Sequence, residues 1–473
     1  MNKDLLLTVG DPRINCGLVS INNPSGLTIY RGEVVAVVGA NGAGKTLLAK
    51  AVAAACRYSS TPHKVKQIEF SDIHSLTGCK DSYYQQRFES TMNDDMPTVG
   101  SLMEGRMDAA EWAKLCDRLS LHDIEHKRVN YLSSGELRKF LIVNMMTELP
   151  ELLILDNPYI GLDAPSRSLL NTLIEQITDN GTTVMLLLCD PADMPASTCR
   201  MVPMQGLTVG AAIEGGLEEM TGQASRLFAR RTLPDLPGTA QADSDFQTAF
   251  ELRDCRVAYG KTTILDHVNW RVARGEHWAL LGENGSGKST LLSLVCADNP
   301  QSYSNDISIF DRRRGTGETI WDIKRRIGYL SPEMHLYFRD AADTLDVVAS
   351  GLRETAGFFR PLTDGQRQQA RQWMEALGIG GLAERRFPTL SSGEQRMALL
   401  ARTLIKRAPL LILDEPMHGL DAANKALALE AIERVTEGDG TTLVFVTHYE
   451  SEIPRSVDKR KILKRNNITD KTK

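Results

Sequence analysis

The sequence predicts an α/β chain made of two tandem phosphate-loop modules, and three repeated strings predict it. GANGAGKT at 39–46 returns as GENGSGKS at 282–289, 243 residues later. LSSGE at 132–136 returns at 390–394, and LLILDNP at 152–158 returns as LLILDEP at 410–416, both 258 residues later. In each copy the Asp of the third string, Asp156 or Asp414, stands 24 residues after the Leu that opens the second. A period this long is no solenoid repeat, so it reads as domain duplication.

Each module opens with a buried strand, 33–38 or 278–281, followed by the glycine-rich loop and a helix beginning near Leu47 or Leu291. The pattern G-x-x-x-x-G-K-[ST] in that context is a polyphosphate cradle. Gly39, Gly42 and Gly44, and Gly282, Gly285 and Gly287, let the backbone wrap the phosphates. Asn41 and Asn284 stand inside the loops. Lys45 and Lys288 supply the cation, and the hydroxyls of Thr46 and Ser289, with Thr290 behind, reach toward Mg²⁺. Asp156 and Asp414 end apolar strands beside the same crevice, where a carboxylate can hold the metal.

After the strand 183–188 the sequence loses its periodicity, and 204–245 is rich in Gly, Pro, Ala and Thr. This gives expected limits of 1–203 for the first domain, 204–247 for a linker and 248–473 for the second. The length, 473 residues, accommodates two to four domains at about 150 residues each. With Lys+Arg 55 against Asp+Glu 60 the net charge is −5, the wrong sign for a chain that coats nucleic acid. No apolar run approaches the length of a membrane span, and the N-terminal apolar stretch is short for a secretory signal. The reading is cytoplasmic, with peripheral attachment to the inner face of the membrane left open. The eight cysteines form no C-x-x-C pair and read as reduced thiols rather than a zinc or redox motif.

LSSGE and LLILDEP-x-x-GLD behind a phosphate loop resemble the ATP-binding cassette (ABC) superfamily over nearly the whole chain. Tyr303–Ile307, Phe310–Gly315 and Gly317–Lys324 are similar to the ModF/PhrA-type tandem ABC ATPases, a family associated with molybdate-transport loci. The resemblance implies two nucleotide-binding domains, each with a mixed sheet and a helical subdomain. These close head to tail into an intrachain pseudo-dimer that acts as a monomer, binds two MgATP and hydrolyses ATP to ADP and phosphate. Each nucleotide would lie between one phosphate loop and the other half's LSSGE, through Ser133 and Gly135 or Ser391 and Gly393. Asp163 and Asp421, ending the GLD strings, would line the interface.

The two composite sites are expected to differ. The site on the second loop combines Lys288, Ser289 and Asp414 with Glu415, the water-polarising carboxylate, and His448, the switch histidine. Tyr259 takes the adenine-stacking position. The site on the first loop keeps Lys45, Thr46 and Asp156, but Asn157 replaces the carboxylate and Cys189 the histidine, while Cys16 falls where the aromatic belongs. It reads as ATP-holding and poorly hydrolysing. Gln85 or Gln86 would be the metal-sensing glutamine of the first half, and Ser331 stands there in the second.

Arg312–Arg314, Lys324–Arg326 and Lys459–Arg465 are basic runs, read as solvated faces and a frayed terminus, with anionic lipid or nucleic acid as the functional alternatives. The partner that the resemblance implies is a separate membrane permease. The alternative is a soluble ABC ATPase, ribosome-associated or regulatory.

Overall fold

The computed structural model describes residues 4–17, 19–58, 62–69, 97–106, 108–118, 124–129, 132, 136, 140–141, 143–144, 149–162, 164–228, 231–237, 245–259, 262–282, 285–332, 334, 342–353, 362–437 and 440–464. Ser133, Gly135, Gln85, Gln86, Asn284 and Asp163 lie outside the described residues.

The duplication is visible in the sheets. In the first half Val65–Glu69, Leu152–Asp156, Thr183–Leu188, Val34–Gly39 and Arg200–Gln205 run parallel in that order. In the second half Ile327–Leu330, Leu410–Asp414, Thr442–Val446, His277–Leu281 and Lys459–Ile462 repeat it. The central strands are continuous apolar runs because helices or antiparallel strands cover both faces, as a parallel sheet requires. Their carboxyl ends place Gly39, Asp156 and Cys189, and Gly282, Asp414 and His448, along one edge of each sheet.

Antiparallel strands complete each half. The first-half sheet continues through Thr208–Val209, Val19–Asn22 and Arg13–Cys16, and so is mixed. In the second half Thr262–Ala273, Thr248–Tyr259, Asp306–Ile309 and Arg312–Arg313 form a separate four-stranded sheet. Helices Thr344–Ala349, Asp364–Ala376 and Ser392–Leu404 form a helical layer packed around fully buried Trp373.

The linker boundary is corrected. Arg200–Gln205 pairs in register with the phosphate-loop strand, Val35 opposite Arg200 and Gly39 opposite Met204, and the helix Leu217–Ser225 buries Met220 and Ala224 in the first core. Pro203 hides the strand from sequence reading, since proline usually argues against one. The chain leaves the first core at Phe228 and joins the second at Leu233.

Of the basic runs, Arg312, Arg313 and Arg325 are exposed, while the terminal run is ordered as far as it is described. Lys459–Ile462 is an edge strand, with Lys459 bound to Glu276; lysines on an edge discourage pairing with other chains. Arg314 is buried against Glu318 at 2.6 Å, Lys324 pairs with Asp298 at 2.5 Å and Arg326 with Asp245. Ion pairing thus consumes much of the expected patch. Among the described residues no helix is long and apolar enough to cross a membrane, and all seven described cysteines are free thiols.

Candidate functional site

Both phosphate loops end at a glycine in the left-handed region, Gly44 at φ 99° and Gly287 at φ 94°, where a side chain would be strained. The helices they start, Lys45–Arg57 and Lys288–Val295, have no side-chain cap and no acidic residue in the first turn. Helix Ser392–Leu404, by contrast, has a full capping box between Ser391 and Glu394. First-turn N–H groups without a capping side chain, at a positive helix end, suit a polyphosphate. Lys45 Nζ donates to the carbonyls of Gly39 at 2.7 Å and Ala40 at 3.0 Å, and Lys288 Nζ to that of Gly282 at 2.7 Å. Burial lowers the pKa of Lys45, opposed by the nearby carboxylates of Asp156 and Asp421.

The hydroxyl and carboxylate that a metal would need meet in both halves. Thr46 Oγ1 donates to Asp156 Oδ2 at 2.6 Å, and Ser289 Oγ lies 3.5 Å from Asp414 Oδ2. Hard oxygen donors of this kind suit Mg²⁺. Burial raises the pKa of Asp156, against the Thr46 bond and the Lys45 charge. Thr290 lies one residue deeper, its carbonyl accepting from Ser293 at 2.7 Å.

The halves meet head to tail at the first loop. The backbone N–H of Asn41 donates to Asp421 Oδ2 at 2.8 Å, and its Nδ2 to the Gly419 carbonyl at 3.0 Å. Gly393 packs against the Asn41 amide so closely that a Cβ there would fall 1.8 Å from Nδ2. Asp421 and the second LSSGE therefore face the first phosphate loop, as expected.

Past Asp156 and Asp414 the two halves part. Asn157 and Glu415 share the same left-handed backbone, each at φ 48°. Glu415 lies between two imidazoles, its Oε1 2.9 Å from His448 Nε2 and its Oε2 3.5 Å from His418 Nδ1. Burial pushes the pKa of Glu415 up, but His448, His418 and the Lys288 charge outweigh it and hold the carboxyl below its usual range. In the first half Asn157 Nδ2 donates to Asp156 Oδ1 at 2.9 Å, and Asn157 Oδ1 accepts from the Cys189 N–H at 3.1 Å. Both ends of that carboxamide are tied down. The Cys189 thiol is pushed up to about 12, with burial the largest cause, and stays protonated.

Tyr259 ends its strand 39% exposed, so the ring is open to stacking while its hydroxyl accepts from Asn299 at 3.0 Å. Cys16, at the matching strand end, points its thiol at the Leu47 carbonyl at 3.8 Å. Ser331 is buried, and its carbonyl accepts from Arg396 at 2.6 Å. Arg396 also donates to the carbonyls of Asp414 at 2.9 Å and Glu415 at 2.5 Å, binding the helix that begins within LSSGE to the carboxylate strand. Sequence reading missed Arg396 and His418, since an Arg in a helix and a His in a turn have no distinctive spacing.

Two phosphate loops, each with a hydroxyl–carboxylate pair and one facing the other half's LSSGE, define a tandem ABC ATPase. The chain belongs to the ABC transporter family, whose model matches residues 22–160 and 265–418. It is 35% identical to the ABC transporter ATP-binding protein ModF of Escherichia coli strain K12 over 92% of each chain, and so is of the ModF type. An uncharacterized ABC transporter ATP-binding protein of Schizosaccharomyces pombe is 26% identical over 83% of this chain and 82% of its own. Among solved structures, the archaeal ribosome recycling factor in complex with a ribosomal stalk protein shares the fold at TM-score 0.57. It is 18% identical, covering 96% of this chain and 87% of its own.

Proposed function

We propose that this ATPase works through two unequal composite sites, turning over MgATP on the second loop and holding it on the first. The observation that carries the reading is the contrast between Glu415, poised between two imidazoles, and Asn157, locked at both ends. Ser289 and Asp414 would hold Mg²⁺, which neutralises charge on the phosphates when bound. Lys288, Gly282, Gly285, Gly287 and Thr290 bind and orient the triphosphate, Tyr259 stacks on the base, and Ser133 and Gly135 complete the site from the first half. Glu415 is ionised and accepts a hydrogen bond from the attacking water, while His448 orients the carboxylate and approaches the γ-phosphate. On the first loop Lys45, Thr46 and Asp156 hold the second MgATP against Ser391 and Gly393. A carboxamide cannot take a proton at neutral pH, so hydrolysis there lacks its base.

We further propose that the ATP cycle drives a separate membrane permease, which places the chain on the cytoplasmic face of the membrane. The family membership and the likeness to ModF support this. The test is a Glu415→Gln chain used as an ATP-locked trap in detergent-solubilised cells, with bound proteins identified by mass spectrometry. Recovery of a polytopic membrane protein that depends on MgATP supports the permease. Ribosomal proteins or a soluble regulator alone would replace it with the non-transport reading. Full turnover in the Glu415→Gln chain would overturn the site assignment itself.

A further inference from the structure

The segment that carries His448 is held from the other half of the chain. Tyr449, the next residue, donates its hydroxyl to the Leu162 carbonyl at 2.6 Å and accepts from Arg167 Nε at 2.6 Å. Both partners belong to the first half, and Leu162 directly precedes Asp163 of the GLD string. Arg167 is bound in three directions, since its Nη1 also donates to Asp193 at 2.5 Å and its Nη2 to the Tyr159 carbonyl at 3.2 Å. Its guanidinium carbon lies 5.0 Å from the Tyr449 ring centroid and 5.4 Å from that of Tyr159. A planar fork that stacks while donating three ways is within reach of Arg and not of Lys. On the other side of His448, Thr447 Oγ1 donates to Glu452 at 2.9 Å, and Glu452 pairs with Lys425 at 3.3 Å. His448 therefore sits between two anchored neighbours.

The arrangement has a pseudo-symmetric counterpart. Lys425 occupies the place of Arg167, four residues past the Asp of the other GLD string, and bridges to Asp190 at 3.0 Å; Asp190 follows Cys189 as Tyr449 follows His448. Each half thus clamps the other's switch segment. Only one clamp ends beside a histidine that faces a carboxylate.

We infer that Arg167 is a positioning residue for hydrolysis at the second-loop site: from the first half it fixes Tyr449, and through it holds the His448 imidazole against Glu415. The inference rests on the reading that Glu415 and His448 carry the turnover.

The test compares steady-state ATP hydrolysis and MgATP binding in the full chain, as wild type, Arg167→Met, Tyr449→Phe, the double variant and Glu415→Gln. Misplacing a catalytic group by about 1 Å costs on the order of 10²-fold, so a kcat loss of about 10- to 100-fold is expected in each single variant. KM and the MgATP Kd should stay within about 2-fold, since neither side chain belongs to the phosphate cradle. The double variant should be no slower than the slower single, because both remove one link. If Arg167→Met fails to fold, Tyr449→Phe carries the test, as it deletes one oxygen. The inference is overturned if Tyr449→Phe keeps kcat within 2-fold of wild type while Glu415→Gln is inactive. Losses that multiply in the double variant, or that appear equally in Kd, also overturn it. Turnover retained by Glu415→Gln would instead remove the underlying site assignment.

Discussion

The strands Leu152–Asp156 and Leu410–Asp414 are the same element twice, and the residue after each sits in the same left-handed backbone at φ 48°. Asn tolerates that conformation, whereas a Glu there is uncommon and strained by on the order of 1 kcal/mol. The first half has the relaxed residue, tied at both ends to Asp156 and Cys189. The second keeps the strained one, with its carboxylate between His418 and His448. The comparison teaches that the two pairings vary independently: Thr46–Asp156 and Ser289–Asp414 are present in both halves, and the carboxylate–histidine pair in one.

The largest effect that could break this comparison is reciprocal substitution. Glu415→Gln should lower kcat by about 10²–10⁴-fold with two MgATP still bound, while Asn157→Gln should leave kcat within about 2-fold. A comparable loss in both, measured by phosphate release, would mean that both sites turn over. Next in size is reconstruction of the first site. Asn157→Glu with Cys189→His should raise turnover by up to about 2-fold, the gain from a second working site. Asn157→Glu alone should give less, because no imidazole would hold the new carboxylate. No gain in the double variant would place the block in Cys16 or in the opposing LSSGE.

A smaller effect concerns pH. The carboxyl of Glu415 is held below its usual range, so the folded state binds its proton less readily than the unfolded chain does. Its contribution to stability is therefore present above the unfolded value and lost as pH falls through the folded one. The difference in Tm between wild type and Glu415→Gln should shift against wild type as pH drops below about 4; a difference independent of pH would show the carboxyl unperturbed. The smallest effect is chemical. Cys189 is buried with its thiol pushed up to about 12, whereas Cys199 is exposed. Brief alkylation at pH 8 should modify Cys199 and spare Cys189 by mass spectrometry, and early loss of Cys189 would place the first site's switch position at the surface.

The sequence by itself determined the duplication, both glycine-rich loops, the strand-ending Asp156 and Asp414, and the exchange of Glu415 and His448 for Asn157 and Cys189. Each is written in residues close along the chain, and a glycine loop or a strand-ending Asp needs little beyond its own strand and helix. It misjudged 204–225, where Pro203 sits inside a strand that pairing with Val34–Gly39 reveals. Tertiary structure alone decided what joins the halves: Asn41 on Asp421, Tyr449 on Arg167 and Leu162, and Lys425 on Asp190. It also decided that Arg396 ties the helix that begins within LSSGE to the Glu415 backbone. These side chains carry no periodicity and no fixed spacing. Their partners lie hundreds of residues away, or across a helix and a strand, and become neighbours only once two separately built sheets present their carboxyl edges to each other.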